Sequence, residues 1–116
     1  MDLIAELNEL GVNTSEALGR FMNNSALYVR MLGKFPAAAR DAKVPEFFEA
    51  QDYEGAVSAA HTLKGVTGNL SLTPLYKAYT DIVALLREGE PQKAKVILDD
   101  ILPVQEKIIA CIERVR

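Results

Sequence analysis

The chain has no tryptophan, and only one cysteine and one histidine among its 116 residues. It also lacks a long apolar run, a basic tract, an internal repeat and any low-complexity linker. Each absence closes off a class of function. The single cysteine, Cys111, cannot form an internal disulfide, which fits a reducing cytoplasm. It stands among Ile108, Ile109 and Ile112, so it reads as a small core residue rather than a reactive thiol. One histidine without a cysteine cluster argues against zinc. Apolar runs of a few residues cannot cross a bilayer, so no membrane span is expected. The acidic start MDLIAELNEL is unlike the basic opening of a secretory signal. The net charge is −3 and Lys and Arg do not cluster with aromatics, so nucleic acid is not an expected partner. With no G-x-x-x-x-G-K-[ST] and no paired acidic metal ligands at fixed spacing, neither a nucleotide site nor autokinase activity is expected.

What is present is helical periodicity. The length suits one core, and residues 1–116 read as a single domain. Met1 leads directly into helical spacing, which suggests a complete small protein. Leu3, Leu7 and Leu10 make a short first helix closed by Gly11, and Asn13 with Glu16 resembles a capping box that opens a second, through Phe21. After Asn23 and Asn24, a third helix carries Leu27, Tyr28, Met31, Leu32 and Phe35, with a kink or restart expected at Pro36 and an end before Val44-Pro45. Glu46 to Ala50 can form another turn or two. Asp52 can cap a long helix to about Leu70. Thr73 reads as the next cap with Pro74 in the first helical position, and Leu75, Tyr79, Ile82 and Leu86 share one face. Glu90-Pro91 starts the last helix, where Ile97, Ile101, Val104, Ile108, Cys111 and Val115 step by four and three through a Pro103 that is expected to kink it without splitting it. Short connections favour antiparallel neighbours. The expected fold is all-α: an up-down antiparallel four-helix bundle with additional short N-terminal helices. A monomer is expected, although the last helix's seam is compatible with dimerisation.

The lone histidine carries the chemistry. On a wheel of 3.6 residues per turn, Tyr53, Ala56, Ala60, Leu63, Thr67 and Leu70 form the core-facing stripe. His61 falls roughly 140° from its middle and should face solvent. Gly65 and Gly68 follow at four and seven residues, stacked on the same stripe. Two glycines inside a helix cost roughly 2 kcal/mol relative to alanine, a sizeable share of the stability of a small domain. Close packing against another helix would justify them only if the stripe were buried. The wheel puts it outside, so access for a partner to the imidazole is the expected reason. Lys64 is a surface neighbour whose side chain leans back over the turn holding His61, where its ammonium could balance a phosphoryl charge.

The segment AHTLKGVTGNLSL, residues 60–72, resembles the H-x-L-K-G-x-x-G signature of histidine-containing phosphotransfer (HPt) domains. GRFMNNSALYVRMLGKF is similar to that family's first bundle helix, and QDYEGAVSAA to the approach to its phosphorylated helix. The resemblance covers nearly the whole chain. It implies that His61 is phosphorylated on Nε2, that Lys64 supports the phosphoryl group, and that Gly65 gives the partner room. It implies a phosphocarrier rather than an enzyme, exchanging phosphate with receiver domains of response regulators and with a hybrid sensor histidine kinase. The Mg²⁺ and acidic residues that transfer needs would then lie on the receiver, with no cofactor bound by this chain. Thr67 and Ser71 depart from the pattern, since the family often has Ala and Gly there.

A neutral imidazole is already a competent nucleophile, and phosphoryl transfer depends mostly on positioning and charge. Two other readings remain. One is a helical adaptor that binds proteins without chemistry. The other is a small hydrolase with His61 as general base, which needs a carboxylate and a pocket that a convex helix surface is not expected to offer.

Overall fold

The computed structural model describes residues 2–114. They form eight helical segments and no strand: α1 (Leu3–Glu9), α2 (Thr14–Arg20), α3 (Ser25–Leu32), α4 (Phe35–Ala42), α5 (Val44–Glu49), α6 (Tyr53–Asn69), α7 (Thr73–Arg87) and α8 (Pro91–Arg114). Asx caps begin four of them. The carboxylate of Asp2 accepts from Ala5 N at 2.8 Å, Asn13 Oδ1 from Glu16 N at 3.1 Å, Asn24 Oδ1 from Leu27 N at 3.0 Å, and Asp52 Oδ1 from Gly55 N at 2.9 Å. Each satisfies an amide that the helix itself cannot.

The proline positions follow from the missing N–H. Pro36 sits in the first turn of α4, where no amide partner is needed, and the chain restarts after Gly33 and Lys34 rather than bending within one helix. Lys43, in the left-handed conformation at φ 58°, separates α4 from α5, whose first turn holds Pro45. Pro103 is exposed within the continuous α8, so the carbonyl it leaves unpaired can meet water. One expectation fails at α7. Its cap is Leu72, with no side-chain hydrogen bond, and Thr73 is already helical. The Thr73 hydroxyl is used elsewhere: it donates to Ser71 O at 3.1 Å and accepts from Asn13 N at 3.2 Å.

The molecule is an up-down helical bundle. Helix α6 packs on α7, α7 on α8, and α4 closes the fourth side against both α6 and α8. Helix α1 lies on α8, and α5 leads into α6. One core runs through it, built from Leu32 and Phe35, Ala60 and Leu63, Leu75, Tyr79 and Ile82, and Leu98, Ile108 and Ile112. The core face of α6 is the expected one, with Ala56, Ala60, Leu63, Thr67 and Leu70 buried, Ala59 added to it and Tyr53 half-buried. In α8 the buried face is wider than the stripe read from spacing. Ala94, Leu98, Gln105, Ile109 and Ile112 join Ile101, Ile108 and Cys111, while Ile97 and Val104 are half-buried. Val115 lies outside the described residues. Polar groups inside are paired: Tyr79 Oη donates to Gln105 Oε1, and Tyr28 Oη to Leu70 O at 2.8 Å. No described helix is long and apolar enough to cross a membrane.

Candidate functional site

His61 is in the middle of α6, on the side away from its core face, and is exposed. Among the described residues no protein group engages its imidazole. Its backbone is held in the middle of a helix while its ring is open to water. Lys64, one turn on, is half-buried and lines the same groove as His61. Helical geometry brings these two side chains together, as their spacing predicts.

The two glycines serve different purposes. A Cβ built on Gly65 meets nothing within 4 Å, so its bare backbone opens onto solvent beside His61. A Cβ on Gly68 would come within 3.0 Å of Cδ1 and Cε1 of Tyr76, whose ring lies over it from α7. At Gly68 close packing, the alternative that the wheel disfavoured, applies as well, while the residue also lines the groove beside His61.

The surface around His61 is also less convex than expected. It forms an open groove of about 600 Å³, lined by His61, Lys64 and Gly65 from α6, Tyr76 from α7, and Glu16 and Arg20 from α2. Sequence reasoning missed the α2 side. Asn13 caps α2 as predicted, but the reciprocal half of the capping box is absent. Asn13 N donates to Thr73 Oγ1, and the Glu16 carboxylate turns to the groove. There Glu16 Oε1 accepts from Ser71 Oγ at 2.9 Å and from Arg20 Nη2 at 3.3 Å.

That contact gives Ser71 a physical reason. Its φ is +52°, a left-handed conformation in which glycine is the unstrained residue. Serine keeps the turn and adds a donor that ties it to α2. Thr67, the other departure from the pattern, is fully buried, and its hydroxyl donates to Leu63 O at 2.7 Å. It fills the space of a small apolar residue and satisfies its own polarity. Among the described residues no group of three or more His, Cys, Asp or Glu side chains could hold a metal ion.

An exposed nucleophile on the outside of a helical bundle, with a cation on one side and bare backbone on the other, suits a protein that presents a small group to other molecules. The family model of the Hpt domain matches residues 2–116, and the chain belongs to that family. Hpt domains are phosphocarriers that work by histidine phosphotransfer in phosphorelays and interact there with receiver domains. No curated protein and no solved structure matches the chain.

Proposed function

We propose that this chain carries a phosphoryl group on Nε2 of His61 and exchanges it with the aspartate of a receiver domain. The observation that carries the proposal is the exposed, unengaged imidazole beside Lys64 and the open backbone at Gly65. In the accepting direction, the Nε2 lone pair attacks the phosphorus of an aspartyl phosphate. The bond from phosphorus to the carboxylate oxygen breaks, and the aspartate leaves with that electron pair. Nδ1 keeps its hydrogen, so no general base is needed in the step. The Lys64 ammonium offsets charge on the phosphoryl oxygens, where fixed charge does most of the work in a loose transition state.

The Mg²⁺ and the carboxylates that hold it would come with the receiver. Gly65 would let the receiver approach the ring. A hybrid sensor kinase would supply phosphate through its own receiver, and the chain, acting as a monomer in the cytoplasm, would need neither a nucleotide site nor kinase activity of its own. The hydrolase reading gains a groove from the structure but not an oriented base, since Glu16 is engaged by Arg20 and Ser71 rather than by the imidazole.

The test is incubation of the purified chain with a panel of phosphorylated receiver domains and, separately, with phosphoramidate. An acid-labile, base-stable adduct at residue 61 is expected, and none on His61→Gln. Because His61 is exposed, the substitution should leave stability within about 0.5 kcal/mol of wild type. Acceptance by the variant at the wild-type rate would overturn the proposal. A wild-type chain that stays unmodified by every donor would leave the adaptor reading in its place.

A further inference from the structure

We infer that Arg20 is a second cationic group for the phosphorylated imidazole, held beside the groove by Glu16 until the phosphoryl group arrives; this rests on the phosphocarrier reading above. Two long-range contacts fix α2 against the turn between α6 and α7: Asn13 N to Thr73 Oγ1 at 3.2 Å and Ser71 Oγ to Glu16 Oε1 at 2.9 Å. They bring Arg20 into the lining of the groove that holds His61 and Lys64.

The Glu16–Arg20 pair is made to be broken cheaply. Its single contact is 3.3 Å long, and each side chain is 50% exposed. Exposed pairs of this kind are weak and screened. A phosphoryl group, by contrast, brings close to two negative charges and three strong acceptor oxygens. Lys64 answers as a point charge, whereas a guanidinium can grip two of those oxygens at once. The competition for Arg20 therefore favours the phosphoryl group over one carboxylate oxygen. When Arg20 leaves, Glu16 still accepts from the Ser71 hydroxyl, so the switch strands no partner. Before phosphorylation, Arg20 in turn masks a carboxylate that would repel the incoming group.

Phosphoramidate is the probe, because it needs no docking surface and reports the groove alone. The extent of phosphorylation at equilibrium and the half-life of the adduct after donor removal are followed by ³¹P NMR. Arg20→Gln should lower both by about fivefold, between the values for a screened and a charge-assisted contact. Arg20→Lys should recover part of the loss, since it restores charge without the fork. Glu16→Gln, which retains an acceptor for Ser71, should act in the opposite sense and raise the extent about twofold. The Nε–H resonance of Arg20 should shift on phosphorylation of the wild type and stay put in His61→Gln; circular dichroism confirms folding of each variant. If the wild type takes no phosphate from phosphoramidate or from any phosphorylated receiver, the carrier reading falls. If it does, and the Arg20 and Glu16 variants match it in extent and half-life, this inference alone falls.

Discussion

The ring of Tyr76 occupies the space where a side chain on Gly68 would begin, 3.0 Å from the built Cβ position. Seven residues after the histidine, a glycine on its stripe thus serves the contact between α6 and α7. The tyrosine it admits is 41% exposed and forms one wall of the groove. At Gly65, with nothing within 4 Å, no such packing reason exists.

This contrast makes Gly65→Ala a sharp substitution. Alanine in place of an exposed mid-helix glycine should raise stability by about 1 kcal/mol, because there is room for the methyl group and helix propensity improves. If the glycine is kept for access, transfer from a phosphorylated receiver should slow at the same time, while phosphorylation by phosphoramidate stays unchanged. Urea unfolding and the two transfer rates check this. A variant that is more stable and equally fast with receivers would remove the access explanation.

At Ser71 the backbone and the side chain can be separated. Ser71→Ala keeps the left-handed strain and loses the bond to Glu16, so it should cost about 1 kcal/mol. Ser71→Gly loses the same bond but relaxes φ, and should be more stable than the alanine variant. Denaturation midpoints of the two variants would show the order directly; alanine above glycine would mean that the turn is not strained.

Inside the bundle, Tyr79 and Gln105 are paired and both buried. Tyr79→Phe leaves the amide oxygen without its donor and should cost about 1–3 kcal/mol. Gln105→Leu in the same background should restore part of that loss, because removing both polar groups is far cheaper than orphaning one. A double-mutant cycle from urea melts measures the coupling. Simple additivity would mean the pair contributes nothing of its own.

Two buried tyrosines set an alkaline limit. Burial pushes the Tyr28 hydroxyl up to about 12, and burial also raises Tyr79, against a smaller opposing effect of its bond to Gln105. An unfolded tyrosine ionises near 10, before the folded one, so the unfolded state loses its proton first. The contribution is fully present below about pH 10 and is lost as the pH rises toward 12. Urea midpoints across that window should fall with pH, and less steeply for Tyr28→Phe. An equal slope in the variant would show that Tyr28 is not one of the groups responsible.

How much of this could be read from the residues depends on the range of the interactions. The buried face of α6 and the outward position of His61 follow from local periodicity alone, and the Asx caps from neighbours three residues apart. The α2 wall of the groove does not, because Glu16 meets Ser71 across 55 residues and Asn13 meets Thr73 across 60. Asn13 and Glu16 were legible as a helix start, yet the carboxylate found a better donor in a distant turn than in its own cap. The packing of Tyr76 on Gly68 was not legible for the same reason. A wheel locates a residue relative to its own axis and is blind to a ring arriving from the next helix. The choice of Leu72 over Thr73 as the cap of α7 likewise reflects a hydroxyl already committed to Asn13 and Ser71.

Residues of α2 and Tyr76 of α7 line the same groove as the one imidazole. If His61 carries a phosphoryl group as proposed, two macromolecules that exchange it at this one side chain would have to use the groove in turn. Traffic through such a carrier would then be governed by abundance and dwell time: whichever visitor is more plentiful or slower to depart would hold up the rest.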